Sequence, residues 1–434
     1  MALAPLSACV AYAPAPIDVA HLAQTLHTEP LPADRHALLA LALERSAIVQ
    51  AARAGLTAAQ AGARSARNLP PLTLTLTAEY SKQADAQRPW LYSGALGVPL
   101  DLGGRRQGRV TTADLAVVKA HYALADAVWA TRQSLMQGLS DLSGARAQIA
   151  ATQTLIDRRK QYLALIAKRA AAGEDNRGLA VQAQLDASAL VDGLLQAQAR
   201  AAQARADLAR VLDVPVSAVD ALPDLPDTAI PDDTQLTAMS DQALYTRSEV
   251  LNAVVDYDSA ENDLRTAIAG QYPDINLAPG YTWERGVVKL PLAGTFTLPP
   301  LDGNRANIDQ AQAARTAAGK TLEDQVRTIQ ATVRQADLTW RSDRALAEKT
   351  RHDDLPLAED LLRRSERMTA SGETDRTETL TAQIALDQAQ MAAVSAEQTA
   401  RDDRLKLEDA LHQAFDANDT RVLTQAVAPP EVTK

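Results

Sequence analysis

Two stretches of this sequence, residues 104–172 and 304–371, each run for about 68 residues without a glycine-rich break. As α-helices rising about 1.5 Å per residue, each would be about 100 Å long. No globular domain is that deep, so the chain must be an elongated array of helices. Apolar residues in the first stretch recur at spacings of three and four: Leu115, Val118, Tyr122, Ala125, Trp129, then after a slip Leu135, Leu139, Leu142, Ile149, Ile156 and Leu163. The second stretch reads Leu322, Val326, Ile329, Val333, Ala336, Trp340. Sustained spacing with one slip is a coiled-coil seam with a stutter. Composition agrees: 87 alanines against 15 aromatics and 19 glycines suit helices packed at close range and cannot fill several globular interiors.

The two stretches are copies. Ala170-Ala171-Ala172-Gly173-Glu174 and Arg177 line up with Thr369-Ala370-Ser371-Gly372-Glu373 and Arg376 at an offset of 199. Asp101, Gly103 and Arg105 line up with Asp302, Gly303 and Arg305 at an offset of about 200, and Ser46, Ala51 and Pro71 meet Ser248, Ala253 and Pro273 at 202. One unit of about 200 residues is thus written twice. The seam is residues 213–231, where Pro215, Pro223, Pro226 and Pro231 interrupt any helix. The expected organisation is an N-terminal segment 1–33, a first repeat 34–212, a proline-rich linker 213–234, a second repeat 235–415 and a C-terminal tail 416–434. Each repeat opens with an amphipathic helix, 34–68 and 235–271, and closes with a return helix, 176–212 and 375–415. Gly173-Glu174 and Gly372-Glu373 form the tips of two long helical hairpins. Asp101 and Asp302 stand where an N-cap would start each long helix. Pro356, with no counterpart in the first repeat, should kink the second.

Between the helices the period drops to two. Leu72-Thr73-Leu74-Thr75-Leu76-Thr77 alternates apolar and hydroxyl residues, and Trp90-Leu91-Tyr92 to Val98 continues the pattern after a polar loop. The second copy has Ile275, Leu277, Tyr281 and Trp283, a turn at 284–286, and residues 287–298. Each repeat therefore supplies one β-hairpin, 72–100 and 273–298, for four strands in all. Seven of the 15 aromatics (Tyr80, Trp90, Tyr92, Tyr272, Tyr281, Trp283, Phe296) lie in residues 72–100 and 272–298, where random placement would put about two. Aromatic-tipped strands with one apolar and one hydroxyl-bearing face match the wall of a transmembrane β-barrel. Lys289 is the exception to their lack of charge. Four strands cannot close such a barrel, since the smallest need eight, so a barrel here must be shared between chains.

Other chemistries find little support. A net charge of −10 with both signs scattered is no footprint for nucleic acid. The six histidines (His21, His27, His36, His121, His352, His412) show no metal-ligand spacing. No glycine pair leads into a phosphate-binding lysine, and no serine sits in a nucleophile elbow, so no enzyme, cofactor or resident metal is expected. The single cysteine excludes an internal disulfide. Leu6-Ser7-Ala8-Cys9 is similar to a bacterial lipobox, which would make Cys9 the lipidated first residue of the mature protein. Residues 1–8 lack the charged and apolar regions of a secretory signal, so two readings stand: the true start lies upstream, or the match is chance. Residues 10–32, with four prolines, then read as an extended tether.

The doubled order of helix, β-hairpin, long helix, tip and return helix resembles the TolC-like outer-membrane efflux channels over nearly the whole chain, from about residue 37 to 415. The residues that carry it are Val98-Pro99-Leu100-Asp101 with Gly103 and Arg105, Arg169 to Gly173, Leu298 to Asp302 with Gly303 and Arg305, and Cys9. Leu355-Pro356-Leu357-Ala358-Glu359 is similar to a pattern of the heavy-metal branch, which favours metal cations over drugs as cargo. The resemblance implies a homotrimer whose chains share a twelve-stranded barrel in the outer membrane of a Gram-negative bacterium, above a helical tunnel crossing the periplasm. Its implied partners are a periplasmic adaptor, an inner-membrane pump and outer-membrane lipid. It also places an acidic constriction residue at Glu378, with Asp375 and Arg376 nearby. Two readings of these acids stand side by side: a ring of like charges that selects ions or latches a gate, and ordinary first-turn carboxylates favoured by the helix dipole. In the first repeat Leu179 and Gln182 are not acidic, and Met368-Thr369 stands where the family has an aromatic near the second tip.

A periplasmic coiled-coil adaptor or scaffold without a pore is the alternative, and the strands separate the two. Leu74→Asp places a charge on the expected lipid face and should cost about 2 kcal/mol at mid-membrane depth. Crosslinking of detergent-extracted protein should then show loss of trimer; a normal trimer yield would reverse the assigned strand orientation.

Overall fold

A computed structural model describes residues 12–18, 30–82, 89–101, 103–174, 177–222 and 230–428. Cys9 and most of the expected tether lie outside the described residues, and 12–18 are exposed without regular structure. The first repeat comprises α1 (Arg35–Arg45), α2 (Ala47–Ala66), β1 (Thr73–Tyr80), β2 (Trp90–Leu100), α3 (Arg105–Ala171) and α4 (Arg177–Leu212). A one-turn helix α5 (Val216–Val219) occupies the linker. The second repeat follows with α6 (Asp233–Thr246), α7 (Ser248–Ala269), β3 (Asp274–Glu284), β4 (Val287–Lys289), β5 (Leu292–Thr297), α8 (Arg305–Lys349), a π-helical turn at Thr350–Asp354, α9 (Leu355–Ala370) and α10 (Arg376–Leu411). The segment read as a tail carries a further helix, α11 (Ala417–Val427).

The opening helix of each repeat, expected to be continuous, is broken. Ser46 takes an extended conformation (ψ 114°), its Oγ accepts from the Val49 N–H, and it shares a 3.0 Å hydrogen bond with Thr131 Oγ1 of α3. Arg247 breaks the second copy (ψ 125°) and donates to the Ala410 carbonyl at 2.8 Å. Both breaks are made by bonds to a distant helix, which no local pattern reveals. The linker is also more ordered than its prolines suggest, because Pro215 seats α5 and buries Val214, Val219 and Leu222. At Pro356 the helix neither ends nor loses its ladder. The Leu355 N–H donates to Thr350 O, five residues back, so a widened turn absorbs the proline in the first turn of α9.

The two hairpins form one antiparallel sheet in the order β1-β2-β3, with β4 and β5 both pairing along β3. The fourth strand is interrupted at Leu290-Pro291, where Gly280 N donates to Pro291 O at 2.8 Å, but its register continues on both sides. Leu74 faces Leu96, Tyr80 faces Trp90, Tyr92 faces Trp283 and Ile275 faces Phe296, so one sheet face is apolar throughout. The other carries Thr73, Thr75, Thr77, Ser93, Thr282 and Thr295. Lys289 lies opposite Thr282 on that polar face and pairs with Glu284. Tyr80, Trp90, Tyr92 and Trp283 form a row of ring contacts (5.1, 5.8 and 6.0 Å) at the loop end of the sheet. Among the described residues, the outer edges of β1 and of β4 and β5 have no strand partner.

The long helices make a wall one helix thick. On the strand side α3 lies between α2 and α7, with α8 beyond α7; on the tip side α3 lies between α4 and α10, with α8 and α9 beyond α10. Two apolar cores sit at mid-height. One gathers α1, the middle of α3, the end of α4 and α5, including Leu39, Leu135, Leu208 and Val219. The other gathers α6, α8 and the end of α10 around Trp340 and Leu411, and takes in the whole expected second seam from Leu322 to Trp340. In the first seam Trp129, Leu135, Leu142 and Ile156 are buried, while Leu115, Val118 and Tyr122 toward the sheet are only partly so.

Beside these cores Arg132 of α3 is buried with its counter-charges. Its Nη2 donates to Glu408 Oε2 of α10 at 2.5 Å and to Asp419 Oδ2 of α11 at 3.0 Å, and its guanidinium lies 5.2 Å from the Trp129 ring. Arg132→Met should destabilise the fold by about 3–5 kcal/mol, because two buried carboxylates lose their main cation; chemical denaturation of the purified protein measures this.

Candidate functional site

The tip is built by two matching chain reversals. α3 ends where Gly173 adopts φ +78°, with Glu174 N donating to Arg169 O at 2.9 Å and Gly173 N to Ala170 O at 3.2 Å. α9 ends in the same way: Gly372 has φ +78°, Glu373 N reaches Met368 O at 2.9 Å and Gly372 N reaches Thr369 O at 3.2 Å. These six-to-one bonds around a left-handed glycine satisfy the last carbonyls of each helix, and any side chain at either glycine would strain the turn. Glu174 and Glu373 are exposed at the two apices.

Beyond the second apex Asp375 caps α10, accepting from the backbone N–H of Thr377 at 2.9 Å and of Glu378 at 3.2 Å. Its other oxygen accepts from Arg169 Nη1 at 2.6 Å, so a side chain of the first tip holds the cap of the second. Burial opposes ionisation of Asp375, yet the Glu378 amide, the Arg169 guanidinium and Thr377 together hold its carboxyl below the ordinary range. Below the apex, Thr369 of α9 bonds to Thr374 at 3.1 Å and to Thr379 at 2.6 Å, forming a hydroxyl cluster. Of the three expected gate residues, Asp375 is thus engaged within its own chain. Arg376 and Glu378 are exposed, and their side chains make no hydrogen bond or ion pair among the described residues. Arg169 was legible only as part of a motif. Its link to Asp375 spans 206 residues, a separation at which spacing carries no signal.

The strand-to-helix joints share a left-handed residue at the helix start, Gly104 and Asn304, and an aspartate that caps it, and differ in their other contacts. Asp101 does not occupy the N-cap position itself, which is Gly104 at φ +73°, but its carboxylate accepts from the Arg105 and Arg106 amides at 3.0 and 2.6 Å. Asp302 accepts from Asn304 and Ala306 at 2.9 and 3.3 Å, with Gly303 at φ +67° and Asn304 as the cap. Each aspartate thus supplies the capping oxygen from outside the helix. Gly103 packs where a Cβ would lie 3.0 Å from the Ala269 carbonyl. Arg105 bridges to Asp274 of β3 at 2.5 Å and so ties α3 to the second hairpin, whereas Arg305 is exposed. Pro99 lies opposite Asn276 in the β2–β3 ladder.

No described helix is long and apolar enough to cross a membrane. The model of a family described as outer membrane efflux protein matches residues 38–213 and 239–412, one match for each repeat. No curated protein matches the sequence. Solved structures share the fold. The outer membrane protein VceC from Vibrio cholerae is 20% identical with a TM-score of 0.69, covering 87% of this chain and 96% of that one. A membrane protein from Pseudomonas aeruginosa is 20% identical with a TM-score of 0.73, covering 93% and 94%. The MtrE outer membrane channel of Neisseria gonorrhoeae in its open state is 20% identical with a TM-score of 0.69, covering 87% and 88%.

Because its folded pKa is lowered, Asp375 stabilises the tip above the ordinary carboxylate range, and that stabilisation is lost as pH falls through the lowered value. Asp375→Ala should remove it at neutral pH as well, at a cost of about 1 kcal/mol. Hydrogen exchange at the Thr377 and Glu378 amides should then quicken about fivefold, the equivalent of that cost.

Proposed function

The chain belongs to the outer membrane efflux protein family, and on that premise we propose that it is the outer-membrane duct of a tripartite efflux system, working as a homotrimer. The observation that carries this is the sheet: four strands, one continuous apolar face, and both outer edges free among the described residues. In hydrocarbon each unpaired backbone group is costly, so such a sheet is stable only when its edges are paired. Joining β1 of one copy to β5 of the next in three copies closes a barrel of twelve strands, with the apolar face to lipid and the threonine and serine face to the lumen.

The same operation closes the wall below. It ends in α4 on one side and in α8 and α9 on the other, and both flanks expose apolar residues: Leu185 and Leu195 on α4, Leu338 and Leu361 on α8 and α9. Curved round a threefold axis, the wall encloses a tunnel through the periplasm. Cargo would enter at the tips from an inner-membrane pump through a periplasmic adaptor and leave through the barrel, with no covalent chemistry. Glu378, exposed in the first turn of α10 and without a side-chain partner among the described residues, would supply a ring of three carboxylates at the tip. Such a ring binds cations and repels itself, so it favours cation passage. Lipidation at Cys9 would anchor the assembly to the outer membrane, and the Leu355-Pro356 stretch favours metal cations as cargo.

The test is crosslinking of detergent-purified protein, followed by conductance in planar bilayers. A trimer and cation-selective channels are expected, and Glu378→Gln should lower cation selectivity without loss of the trimer. A detergent-free soluble monomer would overturn the duct, and unchanged selectivity in the variant would return Glu378 to the role of a first-turn acid.

A further inference from the structure

Where α1 and α11 meet at mid-height, three potential ligand atoms converge. His36 of α1 places Nε2 3.1 Å from Asp416 Oδ2 and 3.7 Å from Asp419 Oδ1, and one ligand atom from each residue lies within 4.8 Å of the others. Four-coordinate zinc with bonds of about 2.0–2.1 Å separates neighbouring ligands by about 3.3 Å. Small shifts of these side chains would therefore seat an ion.

The second oxygen or nitrogen of each residue is already directed elsewhere. Asp419 Oδ2 accepts from Arg35 at 2.7 Å and from Arg132 at 3.0 Å. Its Oδ1, on a side chain with no solvent exposure, has no hydrogen-bond partner and faces His36. Asp416 Oδ1 caps α11 by accepting from Asn418 N at 2.8 Å, which leaves Oδ2 for the cluster. His36 Nδ1 lies 3.7 Å from Asp34 Oδ1. Partners on the far atoms are what hold metal ligands in orientation. Charge also fits: the carboxylates linked through His36 and these arginines are Asp34, Glu408, Asp416 and Asp419, against the guanidinium groups of Arg35, Arg132 and Arg404. With a neutral imidazole the cluster is left one negative charge in excess. A buried carboxylate oxygen without a donor is costly, and a cation there removes the cost.

We propose that His36, Asp416 and Asp419 form a structural site for a first-row divalent cation of the zinc class, with water completing the shell. Such an ion fastens α1 to α11 across the core; it is independent of what the channel carries. His36 and Asp416 are partly exposed, which gives the ion a path in.

Full-length protein in detergent, stripped with chelator, is titrated with Co²⁺ and Zn²⁺. One equivalent per chain is expected, with a Co²⁺ ligand-field band and a rise in melting temperature on adding Zn²⁺. His36→Gln and Asp416→Asn should each weaken binding at least tenfold and abolish both signals, while His352→Gln leaves them intact. Asparagine caps a helix as well as aspartate does, so Asp416→Asn keeps α11 seated, and its melting without metal checks this. Absence of stoichiometric binding, or binding unchanged in both variants, would overturn the site and leave an ion pair between His36 and the carboxylates.

Discussion

The antiparallel ladder between β2 and β3 is the joint on which the molecule depends. It is the pairing that joins the first hairpin to the second, and its register, from Leu91 opposite Glu284 to Leu100 opposite Ile275, aligns the two repeats. Both long helices leave the same side of the sheet as a consequence, α3 directly after β2 and α8 after β5. Arg105, bonded to Asp274 at the foot of β3, fastens that alignment where strand becomes helix. Pairing β2 with β3 also leaves the outer edges of β1 and of β4 and β5 without a strand partner among the described residues.

Below the sheet the wall has no interior in the globular sense. Each helix touches its neighbours to left and right, and alanine and small residues permit the close approach. Gly138 and Gly144 of α3 show how close: a Cβ would lie 2.8 Å from Leu208 on one side and 2.1 Å from Gln398 on the other. Depth is gained only at mid-height, where α1, α5, α6 and α11 add a layer and the two cores form. The buried Arg132 network lies in that thickened band, and it fixes the position of α11 by charge as the leucines around it do by area. At the tip, with no such layer, Arg169 and the Asp375 cap do the joining, and both are accessible to solvent and to pH.

Much of this was legible from residues alone. The two tips, with equal φ at Gly173 and Gly372, follow from the repeated motif. The hairpins follow from two-residue alternation, and the long helices from their unbroken seam. The breaks at Ser46 and Arg247 were not legible, because each is made by a partner on a distant helix. Nor was the π turn before Pro356, since a proline in a helical pattern announces a disturbance without specifying how the ladder absorbs it. The helix within the supposed tail escaped notice because its decisive residue, Asp419, is held by arginines 287 and 384 positions away.

The sequence by itself determined the repeat, the order of its elements and the faces of its strands. All of these are periodic or local properties, carried by side-chain spacing along one segment. Tertiary structure decided which edges stay free, which acid at the tip is spent as a cap and which is left exposed, and that His36 meets Asp416 and Asp419. Those outcomes depend on contacts between residues hundreds of positions apart, whose distances are set only when the helices pack.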